Sequence, residues 1–217
     1  MAWVEAAVVL YLRKLVGRID PYQPKPLPEV DGLATTEVVR EAATMIMLLS
    51  VGWLAGRNWR ARFAYLLITF GVWDIFYYAF LNVLTGWPRT VLDWDILFLI
   101  PLPWWGPVIT PISVAALMIL FGTLCVRHEP LLWPRRRSIA LSACGIFLLL
   151  WSFMFQAVGL IWRGANFTMV RDSIPQAFPW PLFGLGFFLT AISAIDLGLQ
   201  SIVRNGFKQA VSRREQL

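Results

Sequence analysis

Two aspartates stand inside long apolar runs of the sequence. Asp74 lies near the middle of FAYLLITFGVWDIFYYAFLNVLTG (63–86), and Asp196 lies within the last apolar run, at 181–203. A charged side chain near the centre of a bilayer costs roughly 2.5–3.5 kcal/mol, so each acid needs a physical reason to be there. In such a position a carboxyl group can carry a proton, contact an ion or a substrate, or serve only as a buried hydrogen-bonding group.

Each aspartate has polar neighbours at helical spacing. Four-residue steps place Tyr78 and Asn82 on the face of Asp74, and Gln200 on the face of Asp196. These five residues are the candidate intramembrane contacts for a proton, an ion or a substrate. The alternative interpretation is structural, with each carboxyl group hydrogen-bonded to a neighbouring helix.

A second charged group is expected where two apolar runs reach the same surface. Arg40 and Glu41 come early in the first run, and Asp93 and Asp95 follow the second run. These four residues predict an outward-facing polar pocket. The alternative is a solvated rim with ordinary ion pairs.

The depths of three acids suggest a further hypothesis. Glu41 is expected near the outer surface, Asp74 in the middle and Asp196 toward the inner surface. Carboxyl groups staggered in this way occur in proton relays, where each group passes a proton on through a hydroxyl, an amide or water. The spacing indicates depth but not orientation, so the three acids need not face one another.

Motifs for a metal or a redox cofactor are missing from the sequence. The chain has one histidine and two cysteines, with no CxxC, CxxCH or HExxH pattern. Haem in a helical bundle needs axial ligands such as histidine, and no histidine falls inside an apolar run. We therefore expect no cofactor and no metal site.

Composition indicates the elements that must position these residues. Of the 217 residues, 58% are hydrophobic and only 15% are charged, with 12 tryptophans and 15 phenylalanines. Apolar runs of roughly 18 residues or more, enough to cross a hydrocarbon core of about 30 Å, recur along the chain. The predicted fold class is an all-α polytopic membrane helix bundle. Its five predicted transmembrane helices lie at about 36–56, 63–86, 108–126, 138–162 and 181–203, in a single bundle of residues 35–204.

Three segments outside the spans have their own signatures. Residues 1–19 carry an apolar stripe at helical spacing with charges mostly off it, which predicts an amphipathic helix lying in the membrane interface. The proline-rich residues 20–34 predict an extended linker, and residues 205–217 a basic tail. The stretch at about 90–100, ended by Pro101 and Pro103, predicts a short half-inserted helix.

Basic residues suggest an orientation rather than a nucleic-acid partner. The net charge of +6 comes mainly from arginines and lysines that flank apolar runs, at 57–62, at 127–137 and after 203. Short basic loops stay on the cytoplasmic side, so we expect a cytoplasmic C-terminus and an outside N-terminus. A bacterial inner membrane is the expected location, with lipids and no nucleic acid as partners.

Small residues on the fifth span predict a packing face. Gly186, Thr190, Ala194 and Gly198 recur every four residues, a spacing that lets helices approach closely, in self-association or against another membrane protein. Three function classes follow from the whole sequence. The first is a non-catalytic subunit or scaffold of a membrane assembly, the second a small transporter or proton-conducting protein, and the third a membrane-embedded lipid or isoprenoid enzyme.

Overall fold

The computed structural model describes residues 1–15, 17, 33–127, 131–165, 170 and 177–215, with the backbone alone for 33, 34 and 207–215. The predicted linker therefore lies almost entirely outside the described residues. The described residues form six helices and one two-stranded hairpin. In chain order these are α1 (Ala2–Leu15), α2 (Leu33–Ala55), α3 (Trp59–Thr85), β1 (Trp94–Phe98), β2 (Trp104–Pro107), α4 (Ile109–Val126), α5 (Arg136–Trp162) and α6 (Trp180–Glu215).

Five of these helices are long and apolar enough to cross a membrane. The qualifying segments are Thr35–Ala55, Trp59–Thr85, Ile109–Val126, Arg136–Trp162 and Trp180–Gly206. Large apolar side chains such as Leu54 and Val83 face outward along them, as expected where lipid is the solvent. The predicted fold class is confirmed: the chain is an integral membrane helix bundle. α6 continues to Glu215, so the predicted basic tail is the last part of a helix.

The chain alternates between two ends of the bundle. We call the end that holds the C-terminus of α3 and the β-hairpin the hairpin end. The opposite end is the basic end, and its arginines with described side chains are Arg57, Arg60, Arg62, Arg127, Arg135, Arg136, Arg137 and Arg204. Within the bundle α3 packs against α1, α2 and α4, while α5 packs against α6, and α4 and α6 join the two groups.

Glycines set the close approach of α3 to α4. A Cβ atom at Gly71 would lie 2.5 Å from the carbonyl oxygen of Ala115, and one at Gly122 would lie 2.6 Å from that of Ala64. Any larger residue would push these helices apart. The centre of the bundle is therefore tightly packed and apolar along this seam.

The small-residue face of the fifth span is used inside the chain. Gly186 and Thr190 lie against Gly145 of α5, where a Cβ atom would come within 2.5 Å of the Thr190 nitrogen. Ala194 is also buried. These three residues therefore pack within the chain, and self-association through this face stays a prediction. Gly198 differs from Gly186, because no atom of the described residues lies within 4 Å of its Cβ position.

Residues predicted as a short half-inserted helix at about 90–100 form an antiparallel hairpin instead. β1 pairs with β2 so that Asp95 faces Gly106 and Ile96 faces Trp105. The segment WDILF is rich in aromatic and β-branched residues, which favour strands. Pairing also gives this backbone hydrogen-bond partners, which non-helical chain within a membrane bundle requires.

α1 runs along α3 rather than lying flat in the interface as predicted. Ala2 belongs to the same buried cluster as Trp73, and Ala6 to the same cluster as Leu81, so the two helices advance in the same direction. Ala2 and Ala6 are four residues apart and allow a close approach. The predicted orientation is wrong because the charged residues of α1 find partners inside the bundle instead of in water.

Candidate functional site: the charged cluster at the hairpin end

Asp95 is the centre of a buried group of charged and aromatic residues. β1 brings its carboxylate to the hydroxyl of Tyr78, which donates a hydrogen bond of 3.1 Å. The Arg13 guanidinium of α1 lies 3.6 Å from the other carboxylate oxygen and 4.2 Å from the centre of the Trp87 ring. Asp95 is 4% exposed and Arg13 is 8% exposed. One ion pair therefore joins α1, α3 and the hairpin.

Burial dominates the electrostatics of Asp95. It raises the pKa of this carboxyl from 3.8 to about 6, although Arg13, the Tyr78 hydroxyl and the Ile96 N–H each act to lower it. The free-energy cost of removing an ionised carboxylate from water exceeds the gain from its one guanidinium partner and its two hydrogen bonds. Asp95 therefore titrates at a mildly acidic pH.

A second ion-pair group joins α1 to α2. Arg40 of α2 lies between the carboxylates of Glu5 and Glu37 and contacts both. The Thr44 hydroxyl, one turn further along α2, donates a hydrogen bond of 3.2 Å to Glu5. This group holds the N-terminal half of α1 as the Arg13 group holds its C-terminal half.

Glu41 fastens the end of β1 to α2. Both of its carboxylate oxygens accept from the backbone N–H of Leu99 at 3.0 Å, and Glu41 is buried. Leu99 follows the last residue of the strand, where the ladder no longer supplies a partner. The carboxylate thus satisfies a backbone donor that the hairpin leaves open.

The turn between α3 and β1 uses two further predicted site residues. Asp93 accepts from the Arg89 N–H at 2.7 Å and from the Thr90 hydroxyl at 2.8 Å. Asn82 donates from its amide to the Pro88 carbonyl at 2.7 Å. Both side chains therefore close the turn that carries the chain from α3 into the hairpin.

The four residues of the predicted outer pocket all lie at the hairpin end but have separate partners. Arg40 pairs with Glu5 and Glu37, Glu41 with the end of β1, Asp93 with its own turn and Asp95 with Arg13. Sequence reasoning missed Glu5, Arg13 and Thr44 as members of this cluster. The signal available was that Glu5 and Arg13 interrupt a short apolar helix, where a charge needs a partner.

Asp74 lies one helical turn below Tyr78 on α3 and is buried. Its Oδ2 accepts no hydrogen bond from any described residue, and the indole N–H of the adjacent Trp73 likewise has no acceptor among them. Buried polar atoms are normally hydrogen-bonded, so such an atom marks a place for a water, a proton or an ion. Asp74 is therefore the predicted site residue whose chemistry the fold does not explain.

Asp196 and Gln200 have structural partners at the basic end. Asp196 accepts from the Arg135 N–H at 2.7 Å and from the Ser138 hydroxyl at 2.9 Å, and Gln200 donates to the Trp133 carbonyl at 3.4 Å. Arg135 occupies the N-cap position of α5, and its own side chain forms no cap hydrogen bond. Asp196 thus supplies from α6 the acceptor that the start of α5 lacks.

The structure brings Asp74 close to Asp95 through Tyr78, but not to Asp196. Leu197, next to Asp196, belongs to a buried cluster with Ala64 of α3. Asp74 lies ten residues further along α3, about 15 Å away at 1.5 Å per residue. The glycine contacts of α3 with α4 occupy that interval, so an acidic ladder from Asp74 to Asp196 would have to cross closely packed apolar residues.

A small cavity lies beside the β-hairpin. This cavity is lined by Trp105, Ser152, Gln156 and Phe178 and has a volume of about 10 Å³, far below the 300–1,000 Å³ typical of small-molecule pockets. The described residues contain no group of three or more His, Cys, Asp or Glu side chains placed to hold a metal ion.

Comparison of the chain with protein-family models, with curated proteins and with solved structures finds no match. Function must therefore be inferred from the site itself.

Proposed function

We propose that the protein is a non-catalytic component of a larger membrane assembly, a subunit or scaffold without a redox cofactor. One observation supports this proposal: seven of the nine candidate site residues form hydrogen bonds to neighbouring backbone groups or ion pairs between secondary-structure elements. These are Arg40, Glu41, Asn82, Asp93, Asp95, Asp196 and Gln200. Side chains used in this way hold neighbouring elements in place, as expected of a structural component.

The basic end supports a cytoplasmic placement for the C-terminal end of α6. Eight arginines with described side chains lie there, and the positive-inside tendency places such loops in the cytoplasm. The bacterial inner membrane remains the proposed location. Cysteine labelling from either side of intact cells, at position 57 and at position 92, tests the orientation.

Gly198 is the proposed contact point for a partner helix. It is the member of the small-residue face that the fold leaves open, and the neighbouring Ile195 and Leu199 are exposed on α6. A helix of another protein could approach there as α5 approaches Gly145 and Gly186.

Purification from native membranes in mild detergent tests the proposal. We expect a complex of defined stoichiometry by native mass spectrometry, and we expect Gly198→Leu to dissociate it. Gly159→Leu is the matched control, because Gly159 also has no atom within 4 Å of its Cβ position but lies on α5. A chain that stays monomeric under gentle extraction, with and without cross-linking, would contradict the proposal.

A proton-conducting protein is the second candidate, and Asp74 is the observation that favours it. The carboxyl group is buried, has an oxygen without a partner among the described residues, and lies one helical turn from Tyr78, which donates a hydrogen bond to Asp95. Proton flux in liposomes should then be lost in Asp74→Asn and kept in Asp196→Asn. The absence of wild-type flux, or flux unchanged in Asp74→Asn, would reject this candidate.

A further inference from the structure

Trp133 is the centre of an aromatic cluster at the basic end. Its ring packs against Trp59 and Phe63 of α3 and Phe121 of α4, with ring centres 5.1–6.3 Å apart. The side-chain amide of Gln200 on α6 donates a hydrogen bond to the backbone carbonyl of Trp133. The segment before α5 is therefore fixed where α3, α4 and α6 meet.

Two arginines surround this cluster. The Arg60 guanidinium lies 5.4 Å from the centre of the Trp133 ring and 5.8 Å from that of Trp59. Arg135 follows two residues after Trp133, and its side chain is 80% exposed. Asp196 lies 3.7 Å from the Arg135 Nε, but its Oδ2 is occupied by the start of α5. The Arg135 guanidinium thus lies near a carboxylate that is already partly engaged.

The arrangement has the chemistry of a phosphate site at a membrane surface. A guanidinium presents a planar set of donors that matches phosphate oxygens, and stacking on an indole ring restricts its orientation. Tryptophan side chains favour the boundary between headgroups and acyl chains. Trp59 and Phe63 are 63% and 42% exposed beside Arg60, so an apolar surface adjoins the charges.

We propose that Arg60, over the Trp133 ring, and Arg135, two residues after Trp133 in the chain, bind the phosphate of an anionic phospholipid headgroup. The exposed faces of Trp59 and Phe63 contact the first part of its acyl chains. A free phosphate ion would use the guanidinium groups but not this apolar surface, so the ligand is a lipid. The proposal rests on membrane integration and does not depend on a partner protein.

Native mass spectrometry of the purified chain, titrated with phosphatidylglycerol or phosphatidylcholine in detergent, tests this site. We expect selective binding of phosphatidylglycerol. Each basic residue near an anionic membrane contributes about 1 kcal/mol, so Arg60→Gln and Arg135→Gln should each weaken binding about fivefold. Arg57→Gln is the matched control: it removes the same charge at the same end, from a residue with no ring contact among the described residues.

Three outcomes would overturn the proposal. Equal binding of the two lipids would show that charge is not recognised. An equal loss in Arg57→Gln would show diffuse attraction instead of a built site, and competition by inorganic phosphate would show a free-anion site. Arg60→Lys is a second variant, which keeps the charge and removes the stacked plane. It should bind with intermediate affinity, and full wild-type affinity would contradict the role of Trp133.

Discussion

Each end of the bundle stacks an arginine on a tryptophan, but in different surroundings. At the hairpin end Arg13 lies 4.2 Å from the centre of the Trp87 ring and is 8% exposed. At the basic end Arg62 lies 3.7 Å from the centre of the Trp53 ring, which is 62% exposed. The buried arginine depends on Asp95 for a counter-charge, whereas Arg62 is partly exposed and donates a hydrogen bond of 3.2 Å to the Gly56 carbonyl. The same pair of side chains is thus structural in one place and part of a surface in the other.

The elements at each end explain this difference. The hairpin end contains α1 and the hairpin, two elements that do not span, and their charges and open backbone groups must be satisfied within the protein. The basic end consists mainly of the ends of spanning helices. Its arginines therefore project toward water and headgroups, where ion pairs contribute little to stability.

Removing each arginine gives the largest expected contrast between the two ends. Arg13→Met leaves Asp95 buried without its counter-charge, and breaking such a pair typically costs 3–5 kcal/mol, so about 3 kcal/mol or more should be lost. Arg62→Met makes the same change at the basic end and should cost only about 0.5–1 kcal/mol. Reversible unfolding in mixed micelles measures both. Equal losses would remove the distinction between the two ends.

The pH dependence of stability should come from the hairpin end. The pKa of Asp95 is raised from 3.8 to about 6 in the fold, so the folded chain binds a proton more readily than the unfolded chain between these values. Its contribution is full below pH 3.8 and is lost as the pH rises through about 6. A shift of this size corresponds to about 3 kcal/mol.

Thermal unfolding of the wild type and of Asp95→Asn from pH 4 to pH 8 measures this contribution. The wild type should lose stability relative to the variant, which cannot titrate at this position, as the pH rises. A constant difference between the two proteins would contradict the assignment to Asp95.

Close helix packing should tolerate a methyl group differently at two glycines. Gly145→Ala places a Cβ atom 2.5 Å from the Thr190 nitrogen and should cost about 1–3 kcal/mol through overpacking. Gly198→Ala meets no atom within 4 Å and should leave stability unchanged or slightly raised. Unfolding midpoints of the two variants provide the comparison. If Gly145→Ala loses no more stability than Gly198→Ala, α5 and α6 do not approach as closely as described.

The smallest expected effect concerns the cap that α6 provides for α5. Asp196→Ala removes the acceptor for Arg135 and Ser138 and should cost about 1 kcal/mol. Asp196→Asn keeps an acceptor oxygen and should retain most of the stability. If Asn fails as completely as Ala, the negative charge of Asp196 has a role that capping does not explain.

The sequence predicted the five spanning helices because the bilayer itself imposes their length and apolarity. It did not predict the hairpin, since a short apolar segment such as WDILF fits a helix or a strand. The choice depends on pairing with residues 104–107 and on Glu41, which is 58 residues from its partner Leu99. Non-local partners of this kind leave no periodic signal.

The sequence predicts only some of the residues of the charged cluster at the hairpin end. Asp95 and Arg40 were recognisable because their charges stand beside apolar runs. The sequence pattern places their partners Arg13 and Glu5 on a predicted helix in the membrane interface, where water would solvate both. Only the packing of Ala2 and Ala6 on α3 turns those charges toward the bundle.

The central claim is that Arg13 compensates the buried Asp95 carboxylate at neutral pH, where Asp95 is ionised, and so keeps α1 and the hairpin together. Unfolding of Arg13→Met, Asp95→Asn and the double variant near pH 7.5 tests it directly. Because Arg13→Met leaves a buried carboxylate unpaired, adding Asp95→Asn should restore most of the lost stability. Losses that simply add in the double variant would show that the two side chains act independently and would contradict this account.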